Sequence, residues 1–227
     1  MTNLEKLEKR WKELLGRPNS EDEVEETLLL AKEIELERAK EISVLISELC
    51  EKGIVISSIW DLVNTKMKYP EAIDILIKHL SCNYSDKNKE GIIRSLTVKE
   101  ARGKATLALI NEYERTPKEK DNLRWIIGNA IATTMTSKDV DWIIKTVIDK
   151  SNRISRGQMI RALGNVKSND VEDVLINLLN DDEVVANVIY ALGVSRSKEA
   201  KERIAEFINS KDAWIKKEAK IALKKIE

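Results

Sequence analysis

The strings Arg161-Ala162-Leu163-Gly164-Asn165 and Tyr190-Ala191-Leu192-Gly193 decide how the rest of the sequence is read. Each places a small residue ahead of a large aliphatic one, and the pair recurs at Ser95-Leu96, Ala130-Ile131 and Ala222-Leu223. The anchors Leu96, Ile131, Leu163, Leu192 and Leu223 follow one another at intervals of 35, 32, 29 and 31 residues. Four positions before each stands another apolar group: Ile92, Ile127, Met159, Val188 and Ala219. A spacing of four returns a side chain to the same helical face, so each period is predicted to hold one helix with its buried stripe through the anchor.

A second helix recurs within the period. Val140, Ile144, Val147 and Ile148 correspond to Val171, Leu175, Leu178 and Leu179, then to Ala200, Ile204, Phe207 and Ile208. The links ahead of it, Thr136-Ser137-Lys138-Asp139, Lys167-Ser168-Asn169-Asp170 and Arg196-Ser197-Lys198-Glu199, each offer a serine and an acid where a helix start needs a cap and a negative charge. A pair of helices in about 30 residues cannot bury its apolar faces alone, so neighbouring pairs must stack. The expected fold class is all-α, a right-handed α-α superhelix over residues 55–227, with about five helix pairs and a last helix, AWIKKEAKIALKKI.

Residues 1–54 read as an N-terminal helical cap. Leu4, Leu7, Trp11, Leu14 and Leu15 form one stripe, closed by Gly16-Arg17-Pro18-Asn19. Ser20 with Glu23 is a capping-box pattern that opens a long helix running to Gly53, about thirty residues that either pack along the rest of the molecule or break near the middle.

Composition agrees. Among 227 residues there are only 8 Gly and 3 Pro, too few for the turns of a sheet-rich fold, and 42% are hydrophobic, too many for a disordered chain. No apolar run spans a bilayer and no secretory signal is visible, so a reduced cytoplasmic location is the expectation. The 39 Lys and Arg balance 39 Asp and Glu, without the basic excess that duplex-DNA binding usually carries. His79 is the one histidine, and Cys50 and Cys82 form no metal or redox spacing, so neither a metal nor a cofactor is expected and no catalytic residue is assigned.

The quoted strings, each followed by a second helix ending in LLNDDEVV or FINSKDAW, resemble short HEAT-like repeats such as those of phycobilin lyase-type proteins and the helical-repeat alkylpurine DNA glycosylases. A basic residue seven before the anchor is usual there. Lys89, Arg124, Arg156 and Lys216 match it and Val185 breaks it. Tyr69-Pro70-Glu71-Ala72-Ile73, Gly91-Ile92-Ile93-Arg94 and Lys99-Glu100-Ala101-Arg102 resemble a bacterial HEAT-repeat group of unassigned activity. The resemblance implies a fold and no chemistry.

The basic helix-start residues are read as stitching, with Asp121, Asp182 and Asp212 the nearby acids. Candidate binding residues lie elsewhere. Arg94, immediately followed by SLTVKEARGK with its Arg102, marks the densest basic segment. Trp142 beside Asp141 opens a second helix and is the nearest aromatic-carboxylate pair to a groove site. Lys145, Asp173, Asn177 and Lys201, with Glu206, fall on the outer side of the second helices, which would line the concave face. That mixed-sign surface suits a protein or peptide partner. A nucleic-acid-binding or base-excising role is the alternative, and a chromophore-lyase role, argued from repeat similarity alone, is weaker. His79 and Cys82 share a helix face with no orienting group to support catalysis.

Overall fold

The computed structural model describes residues 2–227, which form helices and turns with no strand among them. The chain divides into two compact units, Met1–Ile92 and Ile93–Glu227. The division falls inside a helix and well beyond position 54, because the N-terminal helices share their core with the segment that follows them.

In the first unit α1 (Asn3–Leu15) packs on α2 (Glu21–Glu41). Both open with complete capping boxes, Thr2 with Glu5 and Ser20 with Glu23. Each box satisfies two otherwise orphaned amide donors. Leu4, Leu14 and Ile34 are buried between the helices, Leu15 turns out to solvent instead of joining the stripe, and Arg10–Glu26 and Arg38–Glu8 pairs lace the rim.

Of the two readings of the segment from Ser20 to Gly53, the broken helix is the one observed: α2 and α3 (Ser43–Glu51) meet at Ile42 (φ −96°, ψ 7°). The cause is a side chain inserted into the hydrogen-bond ladder. Asn88 Nδ2 takes the Arg38 carbonyl at 2.9 Å, while the helical donor Ile42 N is stretched to 3.3 Å from it. Ser85 and Asn88 hold the Glu41 carboxylate beside the break, and Ile42, Leu45 and Leu49 turn into the core. Short helices α4 (Ile59–Asn64), α5 (Ile73–Leu80) and α6 (Asp86–Ser95) follow.

The second unit is a stack of helix pairs. The anchor-bearing helices α8 (Asp121–Thr134), α10 (Gly157–Leu163), α12 (Val185–Ser195) and α14 (Ala213–Ile226) contact one another in order. The second helices α7 (Thr106–Arg115), α9 (Val140–Ile148), α11 (Asn169–Leu178) and α13 (Lys201–Ala205, continued by a 3-10 turn over Glu206–Asn209) each pack beside the anchor helix that follows. Leu96, Ile131, Leu163 and Leu192 are completely buried, as are Ile92, Ile127, Met159, Val188 and Ala219. Each large aliphatic among them contributes about 1.5–3 kcal/mol. Leu223 is half-buried.

Glycine sets the spacing of the stack. A Cβ on Gly164 would sit 2.6 Å from the Ala191 carbonyl oxygen, and one on Gly193 would sit 2.7 Å from Ala222 Cα. Gly164 is the cap of α10 in ordinary right-handed conformation (φ −58°), so close approach, rather than a left-handed helix end, explains it.

The inward stripe of α9 is Ile143 and Val147, one residue ahead of the predicted Ile144, and Ile148 is exposed. The 3-10 turn Ser137–Asp139, capped by Thr136, winds tighter than an α-turn and rotates the start of α9 relative to α11.

Three of the basic residues seven before an anchor share one task, while Lys216, the fourth, is exposed. Lys89 Nζ donates to the Leu80 and Cys82 carbonyls at the end of α5 (2.8 and 2.7 Å). Arg124 donates to Tyr113 and Thr116 at the end of α7, and Arg156 to Val147 in the last turn of α9. Each is a buried cation on the negative end of the preceding second helix. Where Val185 interrupts the series, Arg203 of α13 supplies the cation, donating to the Ile176 carbonyl of α11 at 2.8 Å and to Asn180 Oδ1. The acids differ from those expected. Arg156 pairs with Asp181 and Glu183 rather than Asp182, Asp121 pairs with Arg153, and Asp212 caps its own helix.

The neutral total conceals a division of charge. Residues 1–92 carry 14 Lys and Arg against 19 Asp and Glu, and residues 93–227 carry 25 against 20.

Candidate functional site

With one side of each second helix committed to the core, the other side faces water. In α9, Ile143 and Val147 point inward and Asp141 and Lys145 are exposed. In α11, Val171 and Leu175 are buried and Asp173 and Asn177 are exposed. In α13, Ile204 is buried, and Lys201 and the following Glu206 are exposed. These residues are thus exposed, with mixed charge, on three successive second helices.

Trp142 sits beside it, half-buried. Its Nε1 donates to Glu114 Oε1 at 2.8 Å, and its ring meets Tyr113 edge-on at 5.7 Å and 86°. Tyr113, Glu114, Trp142 and Lys145 line a cleft of ≈ 290 Å³, together with Asp149. The Ser151 hydroxyl and amide, with Lys118, hold the Asp149 carboxyl below its ordinary range, so it stays ionised there. Trp142 and Lys145 thus share a cleft with a mixed-charge rim, whereas Asp141 lies outside its lining.

Arg102 and Arg94 are not part of that arrangement. Arg102 Nε donates to the Met135 carbonyl at 3.1 Å, beside Gly103 N and Thr106 Oγ1, which both donate to Thr134 O. SLTVKEARGK therefore closes the C-terminal end of α8. Arg94 lies on α6, half-buried and already engaged in a polar contact. Arg102 also lines a second cleft, of ≈ 600 Å³, with Thr133, Thr136, Asn165 and Lys167. Sequence reasoning missed this cleft, although lysine and arginine recur in the links between first and second helices.

In the first unit the His79–Cys82 pair is structural. Buried His79 shares a hydrogen bond through Nδ1 with the Tyr84 hydroxyl (2.5 Å), and its Nε2 lies 3.3 Å from Glu48 Oε2. Burial pushes the Tyr84 phenol up to about 12, and Lys78, with His79, keeps the Glu48 carboxyl below its usual range. Cys82 points instead to the Lys78 carbonyl. No group of three or more His, Cys, Asp or Glu positioned to hold a metal ion occurs among the described residues. A cleft of ≈ 410 Å³ beside α2 is lined by Trp11, Trp60, Arg38 and Lys87, and Lys87 Nζ lies 4.0 Å from the centre of the Trp60 ring.

Residues 140–224 match the family model of HEAT repeats. The stacked pairs from α9 to α14 are HEAT-like repeats, and the chain is all-α. No curated protein and no solved structure matches the chain. No helix among the described residues is long and apolar enough to cross a membrane.

Proposed function

We propose that the protein is a non-enzymatic binding scaffold whose second-helix face holds a protein or peptide partner. The observation that carries the reading is the row of Asp141, Lys145, Asp173, Asn177 and Lys201, exposed on three consecutive second helices of a HEAT-like array. HEAT repeats commonly serve as interaction scaffolds, and a surface of alternating sign selects a partner by complementary charge while a buried core keeps the rows in register. Trp142 supplies a half-buried aromatic anchor at one end of the face, the residue type that dominates protein interfaces.

Tagged protein and a variant carrying D141K, D173K and K201E, captured in parallel from source lysate after mild crosslinking, test the reading. A stoichiometric protein retained by the first and lost by the second supports it. The absence of any such protein from both counts against it. The alternative, nucleic-acid binding, draws on the basic surplus of residues 93–227, and requires affinity for labelled DNA that falls steeply with salt.

A further inference from the structure

The links between first and second helices of the repeat unit lie along one edge of the stack, because α8, α10 and α12 pack side by side in order. Gly164, just past the end of α10, lies against Ala191 in the last turns of α12, and Gly193 of α12 lies against Ala222 of α14. The first link meets the second through Gly103 N on Thr134 O, and the ≈ 600 Å³ cleft joins the second to the third, with residues from 132 to 140 facing Ala162, Val166 and Lys167.

This edge is basic. Lys99, Arg102 and Lys104 stand on the first link, Lys138 on the second, Lys167 on the third, and Arg196 and Lys198 on the fourth, all exposed. Among the described residues none of Lys99, Lys104, Lys138, Lys167, Arg196 and Lys198 has an ion pair. On the opposite edge Arg115 pairs with Glu112, Lys118 with Asp149, Arg153 with Asp121 and Arg156 with Asp181, while Lys150 and Lys211 are exposed and, among the described residues, without an ion pair. Of the acids near the basic edge, Asp139 is spent on the Thr136 amide and hydroxyl, and Glu100 is engaged, leaving Asp170 and Glu199. Arg196 also occupies a left-handed helix end (φ 59°, ψ 44°), the conformation that Gly103 takes without strain in the first link (φ 76°). Arg196 thus places one more cation on this edge.

We propose that this basic edge binds an extended acidic segment of a protein partner, laid across successive links with a small uncharged side chain in the cleft. The proposal rests on the protein-binding reading above and extends its surface from the second helices onto the links where they begin. A peptide fits better than a nucleic acid. No aromatic side chain lines the cleft for a base to stack on, and its lining alternates Met135, Val140 and Val166 with Thr133, Thr136 and Asn165. Packed helices stand about 8–10 Å apart and an extended chain advances about 3.3 Å per residue, so the matching ligand carries an acid at about every third position.

The test is fluorescence anisotropy with a labelled twelve-residue peptide bearing Asp at positions 1, 4, 7 and 10 between Ser, Gly and Val. The same peptide with Asn, and a labelled single-stranded oligonucleotide, serve as the other probes. The full chain is expected to bind the Asp peptide at low salt at least tenfold more tightly than the Asn peptide. K138E/K167E/K198E is expected to lose that preference, as is the milder K138Q/K167Q/K198Q, with unchanged thermal melts. K145E/K201E, on the second-helix face, is expected to keep it. Equal affinity for the two peptides, tighter binding of the oligonucleotide, or loss in K145E/K201E but not in the link variants overturns the proposal. The last of these leaves the second-helix face as the binding surface, so failure of the edge and failure of the scaffold reading are separable.

Discussion

Arg156 Nη1 lies 2.9 Å from Asp181 Oδ2 with both side chains withdrawn from solvent, at 0% and 7% exposure. The same guanidinium donates to the Val147 and Arg153 carbonyls, so one cation ties the end of α9, the start of α10 and the turn after α11. Removing one partner of a buried pair leaves a charge without its counterpart, at a cost of about 3–5 kcal/mol. Asp181→Ala is therefore expected to destabilise by about 3 kcal/mol in urea unfolding, since Glu183 retains part of the charge. Asp182→Ala, one residue on and exposed, is expected to change stability by less than about 0.5 kcal/mol.

The glycine contacts predict a second asymmetry. Gly164→Ala and Gly193→Ala force a methyl against the backbone of the next helix, at 2.6 and 2.7 Å. Each is expected to destabilise by about 1–3 kcal/mol, lowering the melting temperature by about 2–4 °C per kcal/mol. Gly16→Ala, at a right-handed φ of −80° with 3.5 Å of clearance, is expected to be neutral or stabilising. Thermal melts of the three variants check the ordering.

Arg203 stands in for the cation missing at Val185. Arg203→Met keeps the stem and removes the donors, freeing the Ile176 carbonyl and Asn180 Oδ1. A loss of about 1.5–3 kcal/mol is expected from the charge-assisted bonds, with faster amide exchange in α11 than in α10. Equal exchange in the two helices would contradict the stand-in role.

Glu23 gives a pH prediction. Its bond to the Arg17 guanidinium, and then the Ser20 amide, bring the carboxyl from 4.5 to about 2. The lowered folded value means that the contribution is complete above the ordinary carboxylate range and fades as pH falls toward about 2. A carboxyl-resolved NMR titration is expected to show a midpoint near 2, and Arg17→Ala to move it back upward.

The sequence made the repeat legible because close packing leaves strong local marks. Leu163 and Leu192 are fully buried at the spacing that their strings imply. The stitching role of Arg124 and Arg156 was readable from position, but not its partners, since the acceptors are chiefly backbone carbonyls, which any sequence supplies. A break in the long helix was legible as one of two readings, but its place at Ile42 was not, because Asn88, which causes it, lies 50 residues from Arg38. The basic edge was hidden for a similar reason. Lys138, Lys167 and Lys198 look like scattered surface charge until stacking sets their links side by side.

The most direct test of the scaffold account is hydrogen exchange of the protein alone and in complex with the partner recovered by capture. The account predicts new protection over 140–148, 169–178 and 201–209 while the buried anchor helices change little. Protection absent from all three segments, with the partner stoichiometrically bound, would contradict it.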